Sequence, residues 1–583
     1  MKKILICVCA LLMSYSTKAA DFETAKDAVK NMGVGWNLGN TLESVNWDGK
    51  DGWNWASPAD HEIGWGQSIT KPELMKMMKE AGFGAIRVPV TWFQEMDANG
   101  KVNDAWMSRV KEVVDYVIDN GMYCILNVHH DTGAHDLHWV VADETYYNNS
   151  KTKFEALWKQ IAEVFKDYDQ HLLFEAYNEM LDAKNCWNYP TSTGTYDADY
   201  AAKSLEAVNN YAQSFVTSVR ATGGNNATRN LIVNTYAAAC GGVWGDNTHP
   251  QEPLEQLKLP ADDATGHLIV EIHSYPNISS GFTQAKNGLD WTFNNINEKL
   301  ATRLNVPIII GEWGSSNVDA GAGKTDYDLR KTDYLKFVDY FVSKAKELGF
   351  ATFYWMGLSD GSARELPVFN QADIAKTIVK AYYGSIDGYN YPTADDFETI
   401  YSVKYADEWS EAFLFGDWSR AAKKLSDYKG FRVEMEDDSY VGKLQVKVYG
   451  DKTGQKNNDG SDKYYEQYVQ LASGSNITEA TFDTSTLGST FWGVTLQTQV
   501  GALTAKVKKA TLIKADGSEF SLSVTSAWGC TVATESTPKT SGIHSVQINK
   551  ANADDVIYNL QGQRIAKPQK GIYIQNGKKL IAK

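Results

Sequence analysis

Between residues 34 and 384, short apolar runs alternate with longer stretches in which apolar residues recur at helical spacing. The runs read GVGWNLG, GAIRVPV, YCILNVHH, LLFEAYNE, LIVNTY, LIVEIHSY, PIIIGEWG and ATFYWMGL, eight in all. Rich in Val, Ile, Leu and aromatics, they have the composition of strands buried on both faces of a parallel sheet. The stretch 71–81, with Thr70 as its cap and Pro72 in its first turn, predicts a helix. So do 104–120, which stops at Gly121, and 325–348, which stops at Gly349. The link between the fifth and sixth runs offers only a weak helix near 252–257. Eight such strand–helix units predict an α/β fold, a (β/α)8 TIM barrel with long loops. A doubly wound sheet is the alternative, but GWNLGN lacks the GxGxxG spacing of its phosphate turn.

The pattern changes around YNYPTADDF, so the barrel is expected over 21–384 and a linker over 385–399. From 400 to 540, runs such as LQVKVYG, YYEQYVQLA, WGVTLQT and FSLSVTSAW alternate with period two. Turns such as NNDGSD and KADGSE separate them, which predicts an antiparallel β-sandwich. Only ADEWSEAFLFGDWSRAAKKL, at its start, has room for a short helix. The segment 541–583 reads as a short β-rich tail, with seven Lys and Arg against two Asp after Val546. At the other end, Lys2 and Lys3 precede an apolar stretch from 4 to 13 and a small-residue close at Ala19-Ala20. That is the build of a secretory signal peptide over 1–20, too short to span a bilayer. No lipobox precedes a cysteine, and no later run is apolar enough for a transmembrane helix. A secreted or cell-surface protein is expected.

Composition narrows the partners. A net charge of −15 argues against non-specific nucleic-acid binding, which needs Lys and Arg. The 18 Trp and 31 Tyr offer flat amphipathic faces suited to a neutral polymer such as a polysaccharide. Without the signal, Cys124, Cys186, Cys240 and Cys530 remain; none forms CxxC, and a Cys186–Cys240 disulfide is one open possibility.

In a TIM barrel the reacting groups sit at the C-terminal ends of the strands. That rule selects Arg87, His129-His130-Asp131, Asn178-Glu179, His273, Tyr275, Glu312-Trp313 and Trp355. Glu179 and Glu312 can face each other across the barrel mouth, the arrangement that hydrolyses a glycosidic bond. Arg87, His273 and Tyr275 can orient the nucleophile, and Trp355 can floor the sugar. Glu175, two residues deeper than Glu179, is the better partner for Arg87; in strict period two Glu175, Tyr177 and Glu179 share a face. The cluster of His129, His130, Asp131, His135 and His138 suggests a metal site, but no HxxxH or Asp cluster supports one, so no metal and no cofactor are expected. Trp36, Trp47, Trp139 and Trp244 read equally as stacking platforms in the cleft or as loop core. Trp409, Trp418, Trp492 and Trp528 read more readily as core of the second domain.

The blocks GWNLGNTLES, IRVPVTW, NVHHD, AYNEM, HSYP, IGEWG and YWMGL, in this order, resemble glycoside hydrolase family 5, the cellulase family, over about residues 25–384. The resemblance implies Glu179 as general acid/base and Glu312 as nucleophile of a retaining endo-β-1,4-glucanase. It further implies Asn178 on the sugar 2-hydroxyl, with Arg87, His129, His273, Tyr275 and Trp355 completing the set. His130, Asn37 and Glu43 match secondary sugar contacts of the endoglucanase branches. Met180 stands where Pro often follows the catalytic Glu. Met356 stands where a small polar residue is common, at the cis peptide the family usually has after that Trp. A β-glucan substrate and a monomer are expected; a mannanase, or a barrel that grips glycans without cutting them, are the alternatives. The middle domain is expected to be a possible carbohydrate-binding module. The tail, with YNLQGQR and KGIYIQNGKK, resembles the C-terminal sorting domains of Bacteroidetes-type secretion.

Overall fold

All eight apolar runs become strands of one closed parallel barrel: β1 (Val34–Asn37), β2 (Ala85–Val88), β3 (Tyr123–Asn127), β4 (Leu172–Glu175), β5 (Leu231–Asn234), β6 (Leu268–Ser274), β7 (Ile308–Trp313) and β8 (Ala351–Tyr354). The computed structural model describes residues 22–46, 55–97, 99–187, 190, 197–241, 252–316, 326–456, 458, 460 and 462–538. Of the last 45 residues it describes the backbone of 557–558, 564–565, 571–575 and 578–582. The expected signal peptide, Trp47 and Trp244 lie outside the described residues.

Alternation along each strand sorts its side chains between two apolar layers. Val34, Ile86, Leu126, Phe174, Val233, Val270 and Ile310 join the helices in one core. Their neighbours Ala85, Ile125, Leu173, Ile232, Ile269, Ile309 and Phe353 fill a second, inside the barrel, closed by Ala28 and Val29 of the helix Ala25–Asn31 and by Met32, which caps it. One step further along each strand the interior turns polar, at Asn37, Arg87, Asn127, Glu175, Asn234 and Glu271, all buried. Polar groups taken from water need partners, and most of these bond to one another, Asn234 Oδ1 and Glu271 Oε2 being left without a hydrogen bond.

The helices Asp104–Asp119 and Asp326–Leu348 form as their periodicity predicts, and Glu252–Gln256 is the short helix of the fifth link. The helix Pro72–Glu80 differs from expectation at its start. Lys71 is its cap, and Thr70 is fastened elsewhere: its amide donates to Glu62 and its carbonyl accepts from Arg109. No bridge joins Cys186 and Cys240; all four described cysteines are thiols. No described peptide bond is cis, the one after Trp355 included. No described helix is long and apolar enough to cross a membrane.

The chain divides into two compact units, 1–394 and 395–583. The second contains β9 (Phe397–Tyr405), β10 (Glu411–Gly416), β11 (Lys423–Lys424), β12 (Tyr428–Met435), β13 (Leu444–Lys456), β14 (Asp462–Gln470) and β15 (Ile477–Thr481). It continues with β16 (Thr490–Thr498), β17 (Leu503–Lys514), β18 (Glu519–Leu522), β19 (Thr525–Trp528) and β20 (Cys530–Pro538). One antiparallel sheet runs β14-β13-β16-β10-β19, with β11 also on β16; the other runs β15-β12-β17-β9-β20, with β18 on β17. Val446, Val448 and Leu496 of the first pack with Val403, Val433 and Leu512 of the second, so the two form a β-sandwich. The stretch with room for a helix is β10 and β11 instead. Ala412 and Leu414 alternate with Glu411 and Phe413, and that period of two sends the first pair into the sandwich core. The tail strands Ile557–Tyr558, Arg564–Ile565, Gly571–Gln575 and Lys578–Ala582 make a small antiparallel sheet.

Candidate active site

Arg87, inside the barrel on β2, organises the mouth. Its Nε and Nη2 donate to the two oxygens of Glu175 at 2.6 and 2.8 Å, the bidentate fork expected of Arg with carboxylate. Its Nη1 donates to Asn37 Oδ1 at 3.0 Å and to Glu312 Oε1 at 2.7 Å, and Nη2 also donates to Asn178 Oδ1 at 2.7 Å. Burial alone would push Glu175 up, but the Arg87 charge and fork outweigh it, so Glu175 is held below the usual carboxylate range.

Glu312 reaches the mouth because β7 is irregular. Ile309 lies in the interior core, while Ile308 and Ile310 face the helices. By strict alternation Glu312 would face the helices too. The register instead steps from Ile272↔Ile310 to His273↔Glu312, leaving Gly311 unpaired on this side. That bulge turns Glu312 inward and Trp313 outward, onto Phe341. Only glycine fits at 311, where a Cβ would lie 1.7 Å from Glu271 Oε1. With Arg87 on Oε1 and the Tyr275 hydroxyl donating to Oε2 at 2.8 Å, both oxygens of Glu312 are held.

Glu179 lies four residues past the end of β4. The chain there leaves strict alternation: Tyr177 turns to the helices, its hydroxyl donating to Val208 O. Glu175, Tyr177 and Glu179 therefore do not share a face, contrary to the period-two expectation. Glu179 is 21 % exposed in its side chain against 6 % for Glu312, so it is the more open of the two acids. Burial pushes its carboxyl up, the bond to His273 pulls it down, the Glu312 charge adds to the rise, and the net direction is up. His273 Nδ1 stands 2.8 Å from Glu179 Oε1 and 3.6 Å from Glu312 Oε2. Burial works against its protonation, yet the Glu312 charge and the bonds to Glu179 and Glu271 win, lifting it to about 10. One donor atom each from Glu179, His273 and Glu312 lie within 4.8 Å of one another. Such spacing would suit a cation, but both His273 nitrogens already bond to Glu179 and Glu271.

The remaining expected residues divide. His129 Nδ1 accepts from Asn127 at 3.0 Å, which puts the proton of its neutral ring on Nε2, 4.0 Å from Glu312 Oε1. Burial and neighbouring positive groups keep this ring neutral. Trp355 lies parallel to it, ring centres 6.1 Å apart. Asn178 is buried with its oxygen on Arg87, which turns its NH2 away from the guanidinium. His130 is half-buried beside Trp65 and His129.

Asn37 and Glu43 are buried and bonded to protein groups. Asn37 is wholly buried, its NH2 on Gly311 O and Phe353 O and its oxygen on Arg87. Glu43 is wholly buried with its carboxylate on the amides of Asn40 and Thr41. Both brace the mouth. The two described platform candidates differ: Trp36 is buried beneath the Arg364 guanidinium, and half-buried Trp139 bonds Asp131. Asp131 also accepts from the Trp92 amide, a structural role.

Glu271 was not among the sequence candidates. It is buried on β6, 3.3 Å from both Arg87 Nε and His273 Nε2. Burial and the nearby Glu175 charge raise it to about 7. Its signal was present: an acid inside the apolar run LIVEIHSY, two residues before His273, as Glu175 stands in LLFEAYNE.

A family model for cellulase, glycosyl hydrolase family 5, matches residues 41–360. Endoglucanase A of Clostridium longisporum is 33% identical over 354 residues, 58% of this chain and 60% of that protein. The chain thus spans less than two thirds of that relative. Endoglucanase B of Neocallimastix patriciarum is 33% identical over 386 residues, 64% of this chain and 73% of its own length. Among solved structures, a GH5-4 broad specificity endoglucanase from an uncultured bacterium is 56% identical with TM-score 0.59, over 62% of this chain and 96% of that one. A family 5 enzyme of Prevotella bryantii, solved in complex with a xyloglucan tetradecasaccharide, is 41% identical with TM-score 0.55, over 62% of this chain and 99% of that one. An eight-stranded barrel with two acids at its mouth and a family match across more than half the chain lead to one conclusion: this chain belongs to the cellulase family, glycosyl hydrolase family 5, a family of glycoside hydrolases.

Proposed function

We propose that the chain is a secreted, monomeric, retaining endo-β-1,4-glucanase acting on cellulose-type, mixed-linkage or xyloglucan chains. The observation that carries this reading is that one carboxylate oxygen of Glu179 and one of Glu312 lie within 4.8 Å of each other beside His273. Retaining glycosidases hold their carboxyl groups about 5–5.5 Å apart, inverting ones about 6.5–9.5 Å. Glu312 attacks C1 as the bond from C1 to the leaving oxygen breaks, and the Glu179 proton passes to that oxygen. Water then attacks C1 of the glycosyl-enzyme, giving its proton to Glu179 and releasing Glu312. The raised Glu179 favours the protonated form that the first step needs. Arg87 and Tyr275 hold both nucleophile oxygens, and Asn178 offers its NH2 to the 2-hydroxyl. The endoglucanase relatives and the xyloglucan complex support a β-glucan chain as substrate.

Export is supported by residues 1–20, and the basic tail supports a sorting role for 541–583. Product release from barley glucan, xyloglucan, carboxymethyl cellulose and mannan tests the substrate. Release from mannan alone would replace the glucanase reading. NMR of early product should show the β-anomer first; the α-anomer first would mean inversion.

A further inference from the structure

The outer face of the sheet β14-β13-β16-β10-β19 carries a second aromatic and polar surface, apart from the barrel. Gln470 donates to Gln445 at 2.8 Å, Gln445 to Gln497 at 2.7 Å, and Gln497 to Glu411 at 2.7 Å. This row of side-chain bonds crosses four strands and ends where Glu411 pairs with Trp528. Gln445, Gln497, Thr495 and Glu411 are buried, although they stand on the face turned away from the sandwich core. They form a polar floor. Its borders are exposed aromatics: Tyr468 at 49 %, Trp418 at 49 % and Trp528 at 58 %.

Trp418 is fixed although half of it meets water. Its Nε1 donates to Ala527 O at 3.1 Å, and its ring stands edge-on to Phe413 with centres 5.3 Å apart. Phe413, Tyr449 and Trp492 form a small cluster of their own beneath it, separate from the sandwich core. An indole held rigid and left exposed loses little entropy when a flat ligand stacks on it. A row of side-chain amides beside it suits hydroxyls, since each amide keeps a second N–H beyond the one spent along the row. Lys447, between Glu411 at 3.2 Å and Glu466 at 3.0 Å, has its charge balanced within the floor, and Arg420, 5.9 Å from the centre of the Trp492 ring, stands at the aromatic border. Among the described residues, no Leu, Ile or Val stands at an outward position of this face that would suit an aliphatic protein partner.

We propose that this face of the second unit is a binding site for a neutral β-glucan chain, with Trp418 and Trp528 as stacking platforms over the Gln445–Gln497 floor. The choice of β-glucan rests on the function proposed for the barrel; the site itself does not. The test uses the full chain carrying Glu312→Gln, so that turnover cannot consume the probe, in native gels containing neutral mixed-linkage glucan. Trp418→Ala with Trp528→Ala should cut retardation at least fivefold. In the chain that keeps Glu312, the same pair should leave turnover of a short soluble glucan oligosaccharide within twofold. Trp528→Ala alone, at an exposed position, should weaken retardation measurably and serves if the double variant does not fold. Unchanged retardation by folded variants overturns the site. Retardation by mannan or starch and not by β-glucan overturns the ligand class. An absence of hydrolysis with retardation intact would count against the barrel reading alone.

Discussion

Arg87 uses all five of its N–H groups on the barrel mouth, and two of them define the reaction geometry: one on Glu312, one on Asn178. A residue so placed would position the proposed nucleophile, Glu312, and the proposed 2-hydroxyl contact, Asn178, together. Glu312→Gln keeps the shape and removes the charge that attacks C1, so turnover should fall by about three orders of magnitude or more while glycan affinity persists. Steady-state kinetics with a separate binding measurement checks this. His273 lowers Glu179 through its bond and its charge. His273→Gln should therefore move the alkaline limb of kcat/KM to higher pH, besides lowering its plateau. Stability follows the same proton. Because folding raises His273 from about 6.5 to about 10, its contribution is full below about pH 6.5 and lost as pH rises through about 10. Urea melts at pH 7 and above pH 10 should show that loss in the parent chain and a smaller one in His273→Gln.

Among the elements, the β7 bulge decides where Glu312 points. Gly311→Ala would drive a Cβ into Glu271, so it should destabilise the barrel by about 1–3 kcal/mol and lower turnover by displacing Glu312. Thermal melts and kinetics on one preparation separate the two effects. The same bulge is a feature that residue pattern does not encode. Strands were legible because parallel strands buried on both faces are runs of Val, Ile and Leu, and the strand-end rule then selected both acids. Side-chain direction was not legible at Glu312 or Tyr177, since the backbone leaves period two at both places. The bracing bonds of Asn37 and Glu43 are not legible for a related reason: a polar residue at a barrel mouth reads alike whether it meets a sugar or braces a neighbour. Glu271 was missed because an acid two residues inside a strand reads as a structural pair. In β10, Glu411 and Phe413 alternate too briefly to outweigh the helix-forming residues around them.

At the scale of the whole molecule, the barrel and the sandwich each have their own core. A chain ending at residue 394 should therefore keep the turnover of the full chain on short soluble glucan, within about twofold. Comparing the two on one oligosaccharide checks it; loss of folding in the shorter chain would contradict it. The exposed tryptophans of the sandwich show how burial expectation fails at this scale. Trp492 is buried, in the small cluster with Phe413 and Tyr449 and not in the sandwich core, while Trp409, Trp418 and Trp528 are exposed.

The most direct measurement of the central claim is mass spectrometry of the enzyme after reaction with a slow-turnover glycoside bearing fluorine at C2. A glycosyl mass on the peptide containing Glu312 is the predicted result. No covalent adduct, or one carried by any other acid, would contradict the assignment of Glu312 as nucleophile.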